Sequence, residues 1–262
     1  MNRLAGALRC ELLKARRSKM PVLTAAGFSL APIMGGVFMF ILKDPARARA
    51  MGLIGAKAQI TAGVADWPTY LGVMAQAVAV GGPVLFALVT AWVFGREFAD
   101  RTVKLTLALP TSRASIVAAK FLVAAAWSAL LSAWVLLLSL GIGHLVEMPG
   151  WSGGVALTGA VNLAAAAGLA IALLTPMAFL ACAGRGYLPP IGFAMLMLFL
   201  AQILAATGWG AWFPWSVPPL FAGLAGPRGE LLAGLSYVLV AATSAAGLIA
   251  TFVWWELADQ TT

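Results

Sequence analysis

The chain has 262 residues, of which 62% are hydrophobic and only 10% charged, with a mean hydropathy of +0.94. Soluble domains carry about 25% charged residues, so this composition excludes a water-soluble globule and requires an integral membrane protein. The net charge of +8 then reads as membrane topology and not as a nucleic-acid surface. Several apolar runs reach the roughly 20 residues that a helix needs to cross a bilayer, about twice the length of a barrel strand. The fold class is all-α integral membrane, with six transmembrane helices.

Residues 1–20 hold Arg3, Arg9, Lys14, Arg16, Arg17 and Lys19 against one acid, Glu11, while Leu4, Leu8 and Leu12 recur at helical spacing. On a helix those leucines share a stripe, which suits an interfacial amphipathic helix whose basic stems snorkel into the headgroups. The plainer alternative is a positively charged tail that only fixes topology. No small-residue cleavage site follows the first apolar run, so it reads as an anchor and not as a signal peptide.

The first span covers about 22–42, interrupted by Pro32 and Gly35-Gly36. A polar segment, 43–67, carries Lys43, Arg47, Arg49 and Lys57, and Asp66-Trp67-Pro68 is a helix-start signal. The second span, 70–94, has an expected bend site at Gly81-Gly82-Pro83. The third runs over 116–140 and ends at Gly141-Ile142-Gly143-His144. The fourth, 155–181, carries Asn162 and a Thr175-Pro176 kink site, and Gly184-Arg185-Gly186 makes a tight turn. The fifth, 189–207, opens on Pro189-Pro190, where a missing N–H costs nothing. Residues 208–230 are rich in aromatic side chains, among them Trp209, Trp212, Phe213 and Trp215, which is interface chemistry. The sixth span is 231–254, so 1–262 reads as one transmembrane domain.

Six spans put both termini on one side, and that side holds twelve of the seventeen Lys and Arg residues. The positive-inside rule makes this side cytoplasmic and the protein a multi-pass plasma-membrane protein, with the basic 43–67 loop as the dissenting feature. Cys10 and Cys182 fall on the cytoplasmic side, where thiols stay reduced, so no disulfide is expected.

The acids, Glu11, Asp44, Asp66, Glu97, Asp100, Glu147, Glu230, Glu256 and Asp259, all lie in loops or at span ends. A proton- or sodium-coupled carrier normally needs an ionisable group inside its spans, which disfavours that class. The single histidine, His144, permits neither a bis-histidine haem nor an HExxH zinc site and reads as a solvated loop residue. No Gly-Lys-Ser or Gly-Lys-Thr occurs, so the chain has no P-loop for ATP. It is expected to be no enzyme and to hold no metal or cofactor of its own; any nucleotide energy must come from a partner. Gln76, Asn162 and Gln202 are interhelical hydrogen-bond formers or the lining of a substrate path.

Between the second and third spans lies the densest mixed charge in the chain, from Arg96 to Lys120. Glu97 with Arg101 and Asp100 with Lys104 stand at i,i+4, the favourable acid-first order, so the second span is expected to continue out of the membrane. Pro110 stops that helix, and Thr111 or Ser112 can cap the next, near Lys120. The result is a projecting hairpin whose ridge is Val103, Leu105, Leu107 and Leu109; the alternative is a solvated loop with topogenic charges.

Glu97-Phe98, Arg101-Thr102, the run Leu107 to Arg113 and Lys120 resemble the segment between the second and third spans of ABC-2 type transporter permeases. That family's pattern is an acid, Gly-Thr, Leu-x-x-x-Pro-x-Ser-Arg and then a Lys; Arg101 stands where glycine is common. The Glu11-Leu-Leu-Lys14 leader and the six-span layout are similar as well. The resemblance implies a permease subunit of an ATP-driven exporter, with ATP bound on a separate ABC ATPase subunit and a second permease completing a homo- or heterodimer. It implies that the hairpin is a coupling helix, that the leader is an interfacial connecting helix, and that Glu97, Arg101, Thr102, Lys104, Leu107, Pro110 and Arg113 contact or transmit force from the ATPase. None of these would be catalytic. A non-transporting membrane scaffold or immunity protein is the alternative from another class.

Overall fold

The structure is a computed structural model and describes residues 3–45, 47, 51, 64–107, 111–224 and 232–257. Leu109 and Pro110 of the expected hairpin, and most of the 43–67 loop, lie outside the described residues. Among those residues every regular element is helical: α1 (Arg3–Arg16), α2 (Met20–Lys43), α3 (Trp67–Ala99), α4 (Val103–Leu107), α5 (Arg113–Leu145), α6 (Gly153–Ala172), α7 (Leu174–Ala183), α8 (Leu188–Ala206), α9 (Val217–Phe221) and α10 (Gly234–Leu257). Six helical units are long and apolar enough to span a bilayer: α2, α3, α5, the α6–α7 pair, α8 and α10.

Starts follow local chemistry. Asp66 accepts from the Thr69 N–H at 2.9 Å, Ser112 from the Ser115 N–H at 3.3 Å and Ser152 from the Val155 N–H at 3.1 Å, each satisfying an orphan donor of a first turn. α3 is the hub, packing against α2, α5, α6, α7, α8 and α9. At 33 residues it is roughly 50 Å long, well over the roughly 30 Å hydrocarbon core.

Two helix ends differ from the sequence expectation. α5 continues through Gly141 and Gly143 to Leu145, and a side chain at position 143 would run into the Trp67 ring. This glycine makes room for a neighbour and does not terminate the helix. His144 consequently sits in the last turn of α5 and not in a loop; it is exposed as expected, with its ring 5.0 Å from Trp67 and 4.7 Å from Trp151. The fourth span breaks at Leu173, just before Thr175-Pro176. Pro176 has no N–H to bond Ala172, and the Thr175 hydroxyl donates instead to Ser244 O on α10 at 2.6 Å.

The aromatic segment is only partly a surface belt. Trp209 and Trp212 are exposed, whereas Ser216, Val217, Pro218, Pro219 and Leu220 are buried. Ser216 Oγ donates to Ala201 O at 3.0 Å and Trp215 packs edge-on against Phe193, so the segment folds back against α8.

α3, α5 and α7 end on the same device. Arg101, Glu147 and Arg185 have φ of 56°, 52° and 49°, the left-handed region. The next N–H reaches back to the carbonyl of the third-last residue of each helix: Thr102 to Glu97 O at 2.8 Å, Met148 to Gly143 O at 3.2 Å and Gly186 to Ala181 O at 3.1 Å. These are Schellman caps with charged residues where glycine is the usual occupant. The cap also breaks the helix at Asp100–Thr102, so the expected i,i+4 register of Glu97 with Arg101 and Asp100 with Lys104 is not that of one continuous helix. Arg101→Gly should remove a left-handed penalty of about 1 kcal/mol and raise the melting temperature of the detergent-purified protein; an unchanged or lower value counts against it.

Candidate functional site

The only acid of the basic leader decides how α1 docks. Glu11 is 5% exposed and Ala15 8%, while Leu12 and Leu13 are about half exposed. The buried face of α1 runs through Leu8, Glu11 and Ala15, so of the Leu4, Leu8, Leu12 stripe expected from spacing Leu8 packs against the core, Leu4 is half-buried and Leu12 faces out. It packs mainly against α5.

Glu11 enters a buried charge junction. Lys14 Nζ donates to Glu11 Oε1 and to Glu97 Oε1, each at 2.7 Å. Lys120 Nζ lies 3.2 Å from Glu97 Oε1 and 3.4 Å from Glu11 Oε1, and donates to Val93 O at 2.8 Å. Two carboxylates alternate with two ammonium groups, and α1, α3 and α5 each contribute. Lys120 is fully buried and Glu97 is 3% exposed. An isolated charge at such a depth would cost several kcal/mol; alternation and short hydrogen bonds offset that. Glu97 Oε2 is left without a hydrogen-bond partner.

Burial by itself would lower the Lys14 ammonium, but the Glu97 and Glu11 carboxylates more than offset it and hold the group above the ordinary value of 10.5. Beside the junction lies a cavity of about 430 Å³, bordered by Gly6, Glu11, Trp92, Thr106, Thr111 and Lys120. At the same end of the bundle, Gly95 on α3 meets the backbone of Gly186: a Cβ there would lie 2.7 Å from Gly186 O. The α7–α8 turn is thus pressed against the end of α3.

The structure divides the residues expected to couple. Glu97 faces inward to the two lysines. Arg101 and Thr102 form the Schellman turn that separates α3 from α4. Lys104 is exposed on α4, and Leu107 is half-buried against the core. Arg113 turns the other way, donating from Nη1 to Trp255 O at 3.0 Å and Glu256 O at 3.1 Å, where its cation caps the C-terminus of α10. Pro110 lies outside the described residues. Glu11, Lys14 and Lys120 were missing from the expected set. Their signal was present: a lone acid in a basic leader, a lysine three residues on, and a lysine about two helical turns beyond Arg113. Among the described residues no His, Cys, Asp or Glu group has a metal-binding arrangement. The junction fastens three helices to one another.

Lys120→Met should cost about 3–5 kcal/mol by stranding buried carboxylates, and the Glu97→Gln, Lys120→Met pair should cost less than the sum of the single changes, read from thermal unfolding in detergent; additivity would show that the two groups are independent. Lys14 gains partners on folding, so its contribution is complete below 10.5 and is lost only as pH rises through its higher folded-state value. Fluorescence of Trp92, beside α1, should hold steady from neutrality to about pH 10 and change above it.

The profile of the family described as ABC-2 family transporter protein matches residues 7–201, which take in most of α1, the junction and α4. The chain is also 31% identical over 181 residues to the bacitracin transport permease protein BCRB of Bacillus licheniformis, an alignment covering 68% of this chain and 85% of that protein. A helical membrane bundle whose charge junction and first four spans lie inside the matched region, together with most of α1 and of the fifth span, belongs to the ABC-2 transporter family, and this chain is one of its membrane permeases.

Proposed function

We propose that the chain is the membrane subunit of an ATP-driven exporter, working with a separate ABC ATPase that binds the nucleotide and with a second permease. The observation that carries this reading is the four-charge junction directly behind the short α4 hairpin. A partner pressing on α4 moves the end of α3. Through Glu97, Lys14 and Lys120 that motion reaches α1 and α5 without any bond chemistry in this chain. In this reading the face holding α1 and α4 is cytoplasmic, in keeping with its excess of Lys and Arg. Both termini share that side of the plasma membrane.

Within the proposed site, Arg101, Thr102, Lys104 and Leu107 shape or line the contact with the ATPase. Leu105, 70% exposed on α4, is the residue best placed to enter a groove of a partner. Glu97 transmits motion, and Arg113 ties the same end to α10. The likeness to a bacitracin transport permease makes bacitracin the first cargo to test.

The test uses the permease reconstituted with an ATPase recovered by co-purification. Leu105→Glu should insert and melt like the parent, yet weaken ATPase association by about tenfold or more, as loss of a central apolar anchor does. Permease-stimulated ATP turnover should fall with it. Normal association and turnover in this variant would remove α4 from the contact, and recovery of no ATPase at all would favour a non-transporting scaffold.

A further inference from the structure

A groove of about 510 Å³ adjoins the junction cavity, sharing Lys14, Trp92 and Arg96 with it and extending to Leu13, Arg17 and Tyr187. Its charges are unequal. Lys14 is neutralised by Glu11 and Glu97. Arg96 lies over the Trp92 ring at 5.1 Å and bonds Asp100 through Nε at 3.2 Å. Arg17 has no side-chain partner among the described residues, so the groove keeps a surplus positive charge.

One exposed leucine lines the groove and another stands beside its Tyr187 wall. Leu13 is 52% exposed, and Leu188, the residue after Tyr187 and the first of spanning helix α8, is 81% exposed. Exposed leucines at the start of a span belong against acyl chains, while arginines and a tyrosine hydroxyl at the same level belong among headgroups. A free anion would use the cations and leave the leucines without purpose; a soluble acidic peptide would meet the membrane-facing Leu188.

We propose that this groove binds one anionic phospholipid, its phosphodiester held by Arg17 and Arg96 within reach of the Tyr187 hydroxyl and its chains running along Leu188 and Leu13. Such basic pockets at the ends of spanning helices are suited to anionic headgroups. The site goes beyond the transport reading and does not depend on an ATPase partner; it requires only that the chain span a bilayer.

The experiment is native mass spectrometry of the full chain, released from mixed micelles that contain equal phosphatidylglycerol and phosphatidylcholine. The parent should retain phosphatidylglycerol about fivefold or more over phosphatidylcholine. Arg17→Gln should reduce that preference by about fivefold, and Arg17→Gln with Arg96→Gln should abolish it. Arg9→Gln, on an exposed α1 position outside the groove, should leave it intact. Equal melting temperatures of the Arg17→Gln variant and the parent exclude misfolding as the cause. Equal retention of the two lipids, an equal loss with Arg9→Gln, or displacement of phosphatidylglycerol by inorganic phosphate would each overturn the assignment.

Discussion

The cost of removing a charge from water organises one whole end of this molecule. Lys120 has no exposed surface and Glu97 almost none, so neither could be ionised there alone; each needs the other, and both need Lys14 and Glu11. Because the four groups come from three helices, the electrostatic requirement becomes a geometric one. α1 must lie where Glu11 and Lys14 complete the alternation, and the ends of α3 and α5 must stay in register. Apolar packing could hold the same helices with comparable strength, but it would tolerate sliding. A charge ring with hydrogen bonds of 2.7–3.4 Å does not.

Helix ends supply the second constraint. In a bilayer a terminal carbonyl without a donor is expensive, and long basic side chains meet that need between helices. Arg113, at the start of α5, bonds the last carbonyls of α10. Lys43, at the far end of α2, donates to Val146 O and Glu147 O at the end of α5, both at 2.8 Å. One basic residue at each end of α5 or its neighbour thus ties two spans together while complementing a helix dipole. Arg113 and Lys43, which look topogenic in sequence, serve as structural caps, whereas Arg17 has no side-chain partner among the described residues.

Both the hairpin and the junction depend on a break in α3. Were the helix to continue past Ala99, α4 would extend it as a rigid rod. The Schellman turn at Arg101 lets α4 start anew beside the cavity, within contact of the end of α3. α4 thereby lines the junction cavity through Leu105 and Thr106 while Val103 and Leu107 pack on the core.

The sequence by itself determined the class. Its low charge and long apolar runs leave no water-soluble alternative, and the six spans follow from run length because a lipid environment permits few other solutions. Ser112 and Asp66 as caps were legible for the same local reason: a capping side chain bonds a backbone N–H two or three residues away. The tertiary structure decided which charges are partners. Glu11, Glu97 and Lys120 are separated by long stretches of chain, and spacing along a helix could only suggest neighbours on that helix, such as Glu97 with Arg101. It also decided that Gly143 is a seat for Trp67 and no terminator, and that Arg113 caps a helix more than a hundred residues away. Pairing across helices depends on which faces meet, and in a chain apolar on nearly every side the sequence contains little contrast from which those faces could be read.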